Sequence, residues 1–180
     1  MAQPNPDALK RIGSLIRDVP DFPKPGIMFK DITPLLRDPS GLSMAMDAIA
    51  HPFLDAKVDV VGGAESRGFI FATAVAARLS AGFVPFRKPG RLPCETLREE
   101  YSLEYGTNAL EVHRDAVKPG DRVLLVDDLL ATGGTMEACC KLVDGLGGEI
   151  VGTSFLIELG FLGGRAKLDG YRVHSVLNYE

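Results

Sequence analysis

The chain is poor in cysteine and contains no long apolar run. Its three cysteines, Cys94, Cys139 and Cys140, are odd in number and two of them are adjacent, which argues against a disulfide framework. Neither CxxC nor HxxxH occurs, which argues against a zinc site built by the protein. No stretch of about 18 apolar residues is present, and the first residues lack the basic and apolar regions of a secretory signal. We therefore expect a cytoplasmic protein without a membrane partner.

The sequence also lacks an excess of positive charge. Its 20 Lys and Arg residues are outnumbered by 24 Asp and Glu residues, which gives a formal net charge of -4. Such a balance is poorly suited to general nucleic-acid binding, because phosphate binding depends on basic residues. We expect no nucleic-acid partner. With 180 residues, 46% of them hydrophobic, the chain is predicted to form a single domain over residues 1–180.

Helical and strand-like segments alternate along the chain. Helices are predicted over residues 7–18, 40–54, 66–82 and 136–147, and strands over 57–63, 82–88, 121–128, 149–159 and 171–179. The third helix is expected to stop at Gly82, and the first of these strands at the glycine pair Gly62–Gly63. This alternation predicts an α/β fold with a mainly parallel, twisted sheet flanked by helices. Ligands bind such sheets beyond the carboxyl ends of the strands.

Two segments give weaker signals. Residues 19–36 are rich in proline, which predicts an extended, irregular path without a helix. Residues 89–112 have mixed polarity and weak periodicity, and they give no clear secondary structure.

The clearest strand, VLLVDD, is followed by a loop that suits a phosphate. Small residues let the backbone approach a ligand, threonines add hydroxyl donors, and the next helix contributes the partial positive charge of its N-terminus. These residues are Ala131, Thr132, Gly133, Gly134 and Thr135. The loop is not a nucleoside-triphosphate loop, since no Lys follows Gly134.

An acidic pair, Asp127 and Asp128, directly precedes this loop. Two carboxylates beside a phosphate repel it unless something lies between them. The hydroxyls of a phosphorylated ribose fit this position, and so does a divalent cation. Taken alone, the pair also fits an acidic turn that caps the following helix.

The string from Val123 to Thr135 resembles the phosphoribosyl pyrophosphate signature of the type I phosphoribosyltransferases. Its form VDDLLATGGT is most like that of the family members that use adenine. Four further segments look like parts of the same family in the same order: FPKPGIMFKDITPLL, GGAESRGFIF, FRKPGRLP and EEYSLEYG.

The resemblance implies the family's α/β fold, with a small N-terminal hood over residues 1–36 that binds the base and a mobile lid over residues 91–112. It implies transfer of the phosphoribosyl group from phosphoribosyl pyrophosphate to adenine, which gives AMP and pyrophosphate in purine salvage. It also implies a homodimer and a substrate-bound Mg²⁺ near Asp127 and Asp128, without direct protein ligands.

The same resemblance assigns roles to residues outside the signature. The expected pyrophosphate contacts are Ser66, Arg67, Arg87, Lys88 and Arg91, and the Glu65–Ser66 bond is often cis in the family. The expected adenine contacts are Met28, Phe29, Lys30 and Leu159. Phe29 stacks on the purine, main-chain groups near Met28 and Lys30 read its edge, and Leu159 covers its other face. Glu104 is the expected catalytic acid, and Tyr105 helps to close the lid.

Alternatives remain open at this point. Arg87, Lys88 and Arg91 also fit a solvated basic edge, and Glu104 also fits a polar loop. The fold serves enzymes that use hypoxanthine, guanine or xanthine. It further serves regulators that sense phosphoribosyl pyrophosphate and bind DNA or RNA, although these usually need an added domain or a basic face.

Overall fold

The computed structural model of the chain describes residues 6–102 and 107–180. Its helices are α1 (Pro6–Ser14), α2 (Thr33–Arg37), α3 (Pro39–Ala50), α4 (Gly68–Leu79) and α5 (Gly134–Leu146). Its strands are β1 (Arg17–Val19), β2 (Phe29–Asp31), β3 (Val60–Ala64), β4 (Gly82–Phe86), β5 (Thr96–Ser102), β6 (Thr107–His113), β7 (Arg122–Leu130), β8 (Glu149–Leu159) and β9 (Val173–Tyr179). Short 3₁₀ turns cover His51–Phe53, Gly160–Leu162 and Gly164–Leu168. None of the helices described has both the length and the apolarity needed to span a bilayer.

The predicted parallel sheet is confirmed. Five strands pair in the order β4-β3-β7-β8-β9, and every neighbouring pair in this sheet is parallel. The central strand β7 is buried on both faces, which explains its continuous apolar run. Leu124 and Val126 pack into the core that α1, α3 and α4 cover, whereas Val123 and Leu125 pack into the core that α5 covers.

Two helix ends were predicted too late in the chain. The third predicted helix ends at Leu79, where Ser80 takes the left-handed conformation (φ 54°), and Gly82 instead opens β4. The first helix ends at Ser14, because Arg17–Val19 leave it and pair antiparallel with Phe29–Asp31. The helical spacing of apolar residues in 7–18 gives no sign of this pairing, because its partner strand lies ten or more residues later in the chain.

Both segments with weak sequence signals contain regular structure. The proline-rich segment forms β2 and then enters α2, so the expectation that it excludes a helix was wrong. Pro34 stands in the first turn of α2, where its missing N–H removes no helical hydrogen bond. The region around residues 89–112 contributes the antiparallel hairpin β5–β6. Its side chains pack on α5, as the ion pair between Lys141 and Glu99 shows.

The glycine pair Gly62–Gly63 lies inside β3 instead of ending it. A methyl group added to Gly62 would lie 2.5 Å from a ring carbon of Phe86 and 2.7 Å from Leu125. One added to Gly63 would lie 2.5 Å from the side chain of Ala72 in α4. These glycines therefore serve close packing between the strand, its neighbours and a helix, and the turn begins only after Ala64.

Candidate active site

The site lies where the order of the strands reverses. From β3 the chain moves to β4 on one side, and it later returns to β7 on the other side of β3. The connections that follow β3 and β7 therefore diverge and leave a crevice at the carboxyl ends of the strands. Residues 65–67 follow β3, and Ala131–Gly133 follow β7, so two of the predicted ligand segments share this edge.

Arg67 links three of the predicted binding segments. Its Nη2 lies 2.9 Å from Oδ2 of Asp128, a residue only 5% exposed. Its guanidinium carbon lies 5.4 Å from the centre of the Phe29 ring, within the range of a cation–π contact. One side chain thus joins the turn after β3, the acidic end of β7 and the predicted base-binding segment, residues 28–30. The Glu65–Ser66 peptide bond in that turn is cis.

Asp127 and Asp128 are held in an environment that disfavours their charge. Burial raises the pKa of Asp127 well above its ordinary value, and the neighbouring charge of Asp128 raises it further. Burial also raises the pKa of Asp128, while the charge of Arg67 opposes that rise. The Asp128 N–H donates to Oδ1 of Asp127 at 2.9 Å. The pair therefore gains free energy from partners that donate hydrogen bonds to it, as sugar hydroxyls do.

The predicted phosphate loop, Ala131–Thr135, lies in close contact with residues 163–164, which are distant in the sequence. Gly133 has a φ of 79°, in the left-handed region, and α5 begins at the next residue. A methyl group on Gly133 would lie 2.4 Å from the carbonyl oxygen of Gly164, and one on Gly164 would lie 2.1 Å from that of Ala131. The backbones of the loop and of residues 163–164 are thus in direct contact. Sequence reasoning missed Gly164, whose only signal was the Gly163–Gly164 pair that follows β8.

The remaining predicted cations gather around Glu65. Nε of Arg87 lies 3.1 Å from Oε2 of Glu65, and the Lys88 N–H donates to the same oxygen at 3.1 Å. Burial alone would raise the pKa of Glu65, but these bonds, with the charges of Arg87 and Arg91, outweigh it and lower the pKa. Glu65 thus pairs with Arg87, and the exposed Lys88 and Arg91 add further positive charge to this group.

A cavity of about 660 Å³ joins the base segment to the phosphate loop. Its walls include all four predicted adenine contacts and two residues of the loop: Met28, Phe29, Lys30, Leu159, Ala131 and Thr132. Leu129, Phe161 and Leu162 also line it, and sequence reasoning did not name them. The signal that could have found Phe161 and Leu162 is a pair of large apolar residues directly after the carboxyl end of a strand.

The Lys30 side chain is engaged by protein groups. Its Nζ lies 2.6 Å from Oδ1 of Asp18 and 3.9 Å from the centre of the Tyr179 ring. Asp18 belongs to β1 and Tyr179 ends β9. The lysine therefore ties the base segment to two strands.

The β5–β6 hairpin reaches the phosphate loop through Tyr101. Burial raises the pKa of the Tyr101 hydroxyl, and a hydrogen bond with the side chain of Thr135 partly opposes that rise. Glu104 and Tyr105, the expected acid and the expected lid residue, fall between the two described ranges and lie outside the described residues.

The acidic pair fits a metal ion only as a minor contributor of ligands. Asp127 and Asp128 offer carboxylate oxygens, the donors that Mg²⁺ prefers. Within residues 6–102 and 107–180, no group of three or more His, Cys, Asp or Glu side chains could hold a metal ion. This donor set suits an ion that arrives with its ligands already supplied by a phosphorylated substrate.

Comparison with known proteins gives consistent matches over most of the chain. A family model described as a phosphoribosyl transferase domain matches residues 35–174. The adenine phosphoribosyltransferase of Rhodopirellula baltica is 60% identical over 164 residues, which cover 91% of this chain and 80% of that protein. The crystal structure of adenine phosphoribosyltransferase from Rhodothermus marinus has a TM-score of 0.92 and 53% identity, with coverage of 97% of this chain and 100% of that chain.

A more distant solved structure contains ligands. The adenine phosphoribosyltransferase of Saccharomyces cerevisiae was solved with adenine and D-2,5-dideoxy-2,5-imino-altritol 1,6-bisphosphate. It has a TM-score of 0.91 and 36% identity, with coverage of 95% of this chain and 99% of that chain.

The raised pKa of Asp127 predicts a pH-dependent gain in stability when its charge is removed. Because the folded pKa lies above the unfolded one, the folded state loses stability as the pH rises from the unfolded pKa through the folded pKa. Asp127→Asn keeps the oxygen that accepts from Asp128 and removes the titration. We expect the variant to have a higher free energy of unfolding than the parent at pH 7 and to match the parent below the unfolded pKa.

Denaturant titrations between pH 3.5 and pH 8 measure this difference. Asp115→Asn is the matched control, because Asp115 is exposed and lies in a turn away from the acidic pair. An Asp127→Asn variant that is less stable than the parent at pH 7 would contradict the prediction.

Proposed function

The chain belongs to the phosphoribosyltransferase family, and from this premise we propose that it transfers the phosphoribosyl group of phosphoribosyl pyrophosphate to adenine, forming AMP and pyrophosphate in purine salvage. The family assignment rests on the domain model that matches residues 35–174. The observation that carries the proposal is one cavity whose lining includes Phe29 together with Ala131 and Thr132. A purine bound against Phe29 would lie next to a phosphate bound at Ala131 and Thr132, which supports the proposal.

The reaction needs little covalent chemistry from the protein. N9 of adenine forms a bond to C1 of the ribose, the bond from C1 to pyrophosphate breaks, and the N9 proton leaves to a base or to water. The ribose passes through a state with positive charge on the ring. Catalysis then depends on positioning the two substrates and on stabilising the charge that develops.

The site supplies separate contacts for each part of phosphoribosyl pyrophosphate. Main-chain N–H groups of the loop from Ala131 to Thr135, with the hydroxyls of Thr132 and Thr135, bind the 5-phosphate. The acidic pair accepts hydrogen bonds from the ribose hydroxyls. A guanidinium has five N–H donors, so Arg67 can keep Asp128 and still donate to pyrophosphate, together with Ser66, Lys88 and Arg91. Arg87 acts chiefly by holding Glu65 and hence the turn.

Adenine is recognised by stacking and by the main chain. The ring of Phe29 contacts that of Phe22 edge to face at 5.0 Å, which fixes the orientation of the face it presents. Because Asp18 and Tyr179 hold the Lys30 ammonium, we assign recognition of the purine edge to backbone groups near Met28 and Lys30. A fixed main-chain carbonyl oxygen accepts a hydrogen bond from the exocyclic amine of adenine and repels the carbonyl oxygen of hypoxanthine.

Other parts of the proposal rest on the family resemblance. Mg²⁺, when bound to phosphoribosyl pyrophosphate, offsets negative charge on the leaving group. We also propose a homodimer in the cytoplasm, which sedimentation and cell fractionation can test. Residues 91–112 act as a lid, with Tyr105 closing over the substrates and Glu104 protonating or hydrogen-bonding N7 of the base.

Three predictions test this proposal, and the first concerns the choice of base. Adenine should give a kcat/KM about 100-fold higher than hypoxanthine, guanine or xanthine, because those purines present a carbonyl where adenine has an amine. A panel of purines with phosphoribosyl pyrophosphate, with and without Mg²⁺, measures this preference and its metal dependence. Fast formation of IMP or GMP with only a trace of AMP would overturn the adenine assignment.

The second prediction concerns stacking. Phe29→Leu should raise the KM for adenine about tenfold, with a much smaller effect on the KM for phosphoribosyl pyrophosphate, because base stacking is worth roughly 1–3 kcal/mol. Phe83→Leu is the control, since Phe83 makes an edge contact with Phe69 but does not line the cavity. An unchanged KM for adenine would remove Phe29 from the base site.

The third prediction concerns proton transfer. Glu104→Ala should lower kcat about 100-fold and leave both KM values within about threefold, as expected for a general acid. Glu100→Ala is the control, because Glu100 lies on β5 of the same hairpin and pairs with Arg98. Equal kcat values for Glu104→Ala and the parent would exclude a chemical role for Glu104.

A further inference from the structure

Glu158 is a charged side chain buried at the carboxyl end of β8. It is 6% exposed, and the proposed chemistry makes no use of it. Buried carboxylates need strong hydrogen-bond partners, because removing their charge from water is unfavourable. The partners of Glu158 therefore indicate what the residue holds in place.

Donors from two other segments bind the Glu158 carboxylate. Nε of Arg165 donates to Oε1 at 2.9 Å, and Nη2 of Arg165 donates to Oε2. The hydroxyl of Ser175 in β9 also donates to Oε2, at 2.6 Å. The remaining Nη1 of Arg165 donates to the carbonyl oxygen of Val173 at 3.2 Å. The bidentate pair thus fastens the 3₁₀ turn at Gly164–Leu168 to both β8 and β9.

This fastened turn is the segment that touches the phosphate loop. Arg165 directly follows Gly164, whose α-carbon leaves no room for a methyl group against the carbonyl oxygen of Ala131. On the other side, β7 pairs with β8 so that Leu130 stands opposite Glu158. The loop is therefore joined to Glu158 through the sheet at Leu130 and through Arg165 at Gly164.

We propose that Glu158 and Arg165 are positioning residues that hold the phosphate loop in its binding conformation through the contact between Gly164 and Ala131. The inference rests on the proposed function, since it assigns the loop to the 5-phosphate of phosphoribosyl pyrophosphate. Loss of the pair frees the Gly164 turn, and the loop amides then lose their common orientation. Phe161 and Leu162 lie between Glu158 and Arg165 and line the base cavity, so adenine binding also weakens, but less than the binding of ligands that carry the phosphate.

The test compares two identical changes in one strand. Glu158→Gln removes the charge that binds Arg165, and Glu149→Gln makes the same change at the opposite end of β8, where Glu149 pairs with the Arg122 side chain. We expect Glu158→Gln to raise the KM for phosphoribosyl pyrophosphate and the Kd for AMP about tenfold. The Kd for adenine should rise clearly less than the Kd for AMP, by about threefold at most, kcat should stay within about twofold, and Glu149→Gln should match the parent.

Calorimetry at a temperature where every variant is folded separates positioning from stability. A lower melting temperature of Glu158→Gln with an unchanged Kd for AMP would show a purely structural role and overturn the inference. Arg165→Lys, which keeps the charge but loses the planar bidentate geometry, should give an intermediate Kd. A parent chain that fails to form AMP would refute the proposed function, whereas an active parent with unaffected variants would refute this inference alone.

A second pair of variants tests the contact directly and does not depend on a soluble Glu158→Gln protein. Gly164→Ala should raise the Kd for AMP more than the Kd for adenine, because its methyl group displaces Ala131. Gly82→Ala is the control, since a methyl group there would meet its nearest atom at 3.6 Å. Equal losses for AMP and adenine in Gly164→Ala would overturn the inference.

Discussion

Parallel pairing of β3 with β7 is the constraint on which the site depends. Because the two strands run side by side in the same direction, from Val60 opposite Val123 to Gly63 opposite Val126, their following segments emerge at one edge. That pairing puts the turn with Arg67 beside Asp128. A carboxylate as buried as Asp128 needs a cation, and the turn that follows β3 supplies one in Arg67. The base segment joins the same arrangement through the contact between Phe29 and Arg67.

This arrangement trades stability for binding. Burial raises the pKa of both acids, so the folded chain holds charge where an apolar or amide side chain would be more stable. Natural sites tolerate such groups when the rest of the fold supplies enough free energy. Here the support comes from β7 itself, whose apolar residues fill a core on each face of the sheet. The strand that carries the acids is thus also one whose apolar residues are buried on both faces of the sheet.

The sequence predicts best what lies in one continuous stretch. The apolar run of β7, the acids and the small residues of the loop stand together, and so the sheet class and the strand–loop–helix unit were predictable. Contacts between distant segments were not. Nothing local shows that Gly62 packs on Phe86, that Gly164 packs on Ala131, or that the weakly periodic region forms a hairpin on α5. Phe161 likewise reaches the cavity only because β8 ends at the edge where the loop lies.

In the proposed function, the Lys30 side chain supports recognition of the base without touching it. Its ammonium bridges Asp18 and Tyr179, so its charge holds the base segment against the first and last strands. Recognition of the purine edge then falls to the backbone, whose direction is set by that bridge and by the Phe22–Phe29 contact. Under this proposal, base choice depends on how residues 28–30 are anchored more than on the identity of the side chain at position 30.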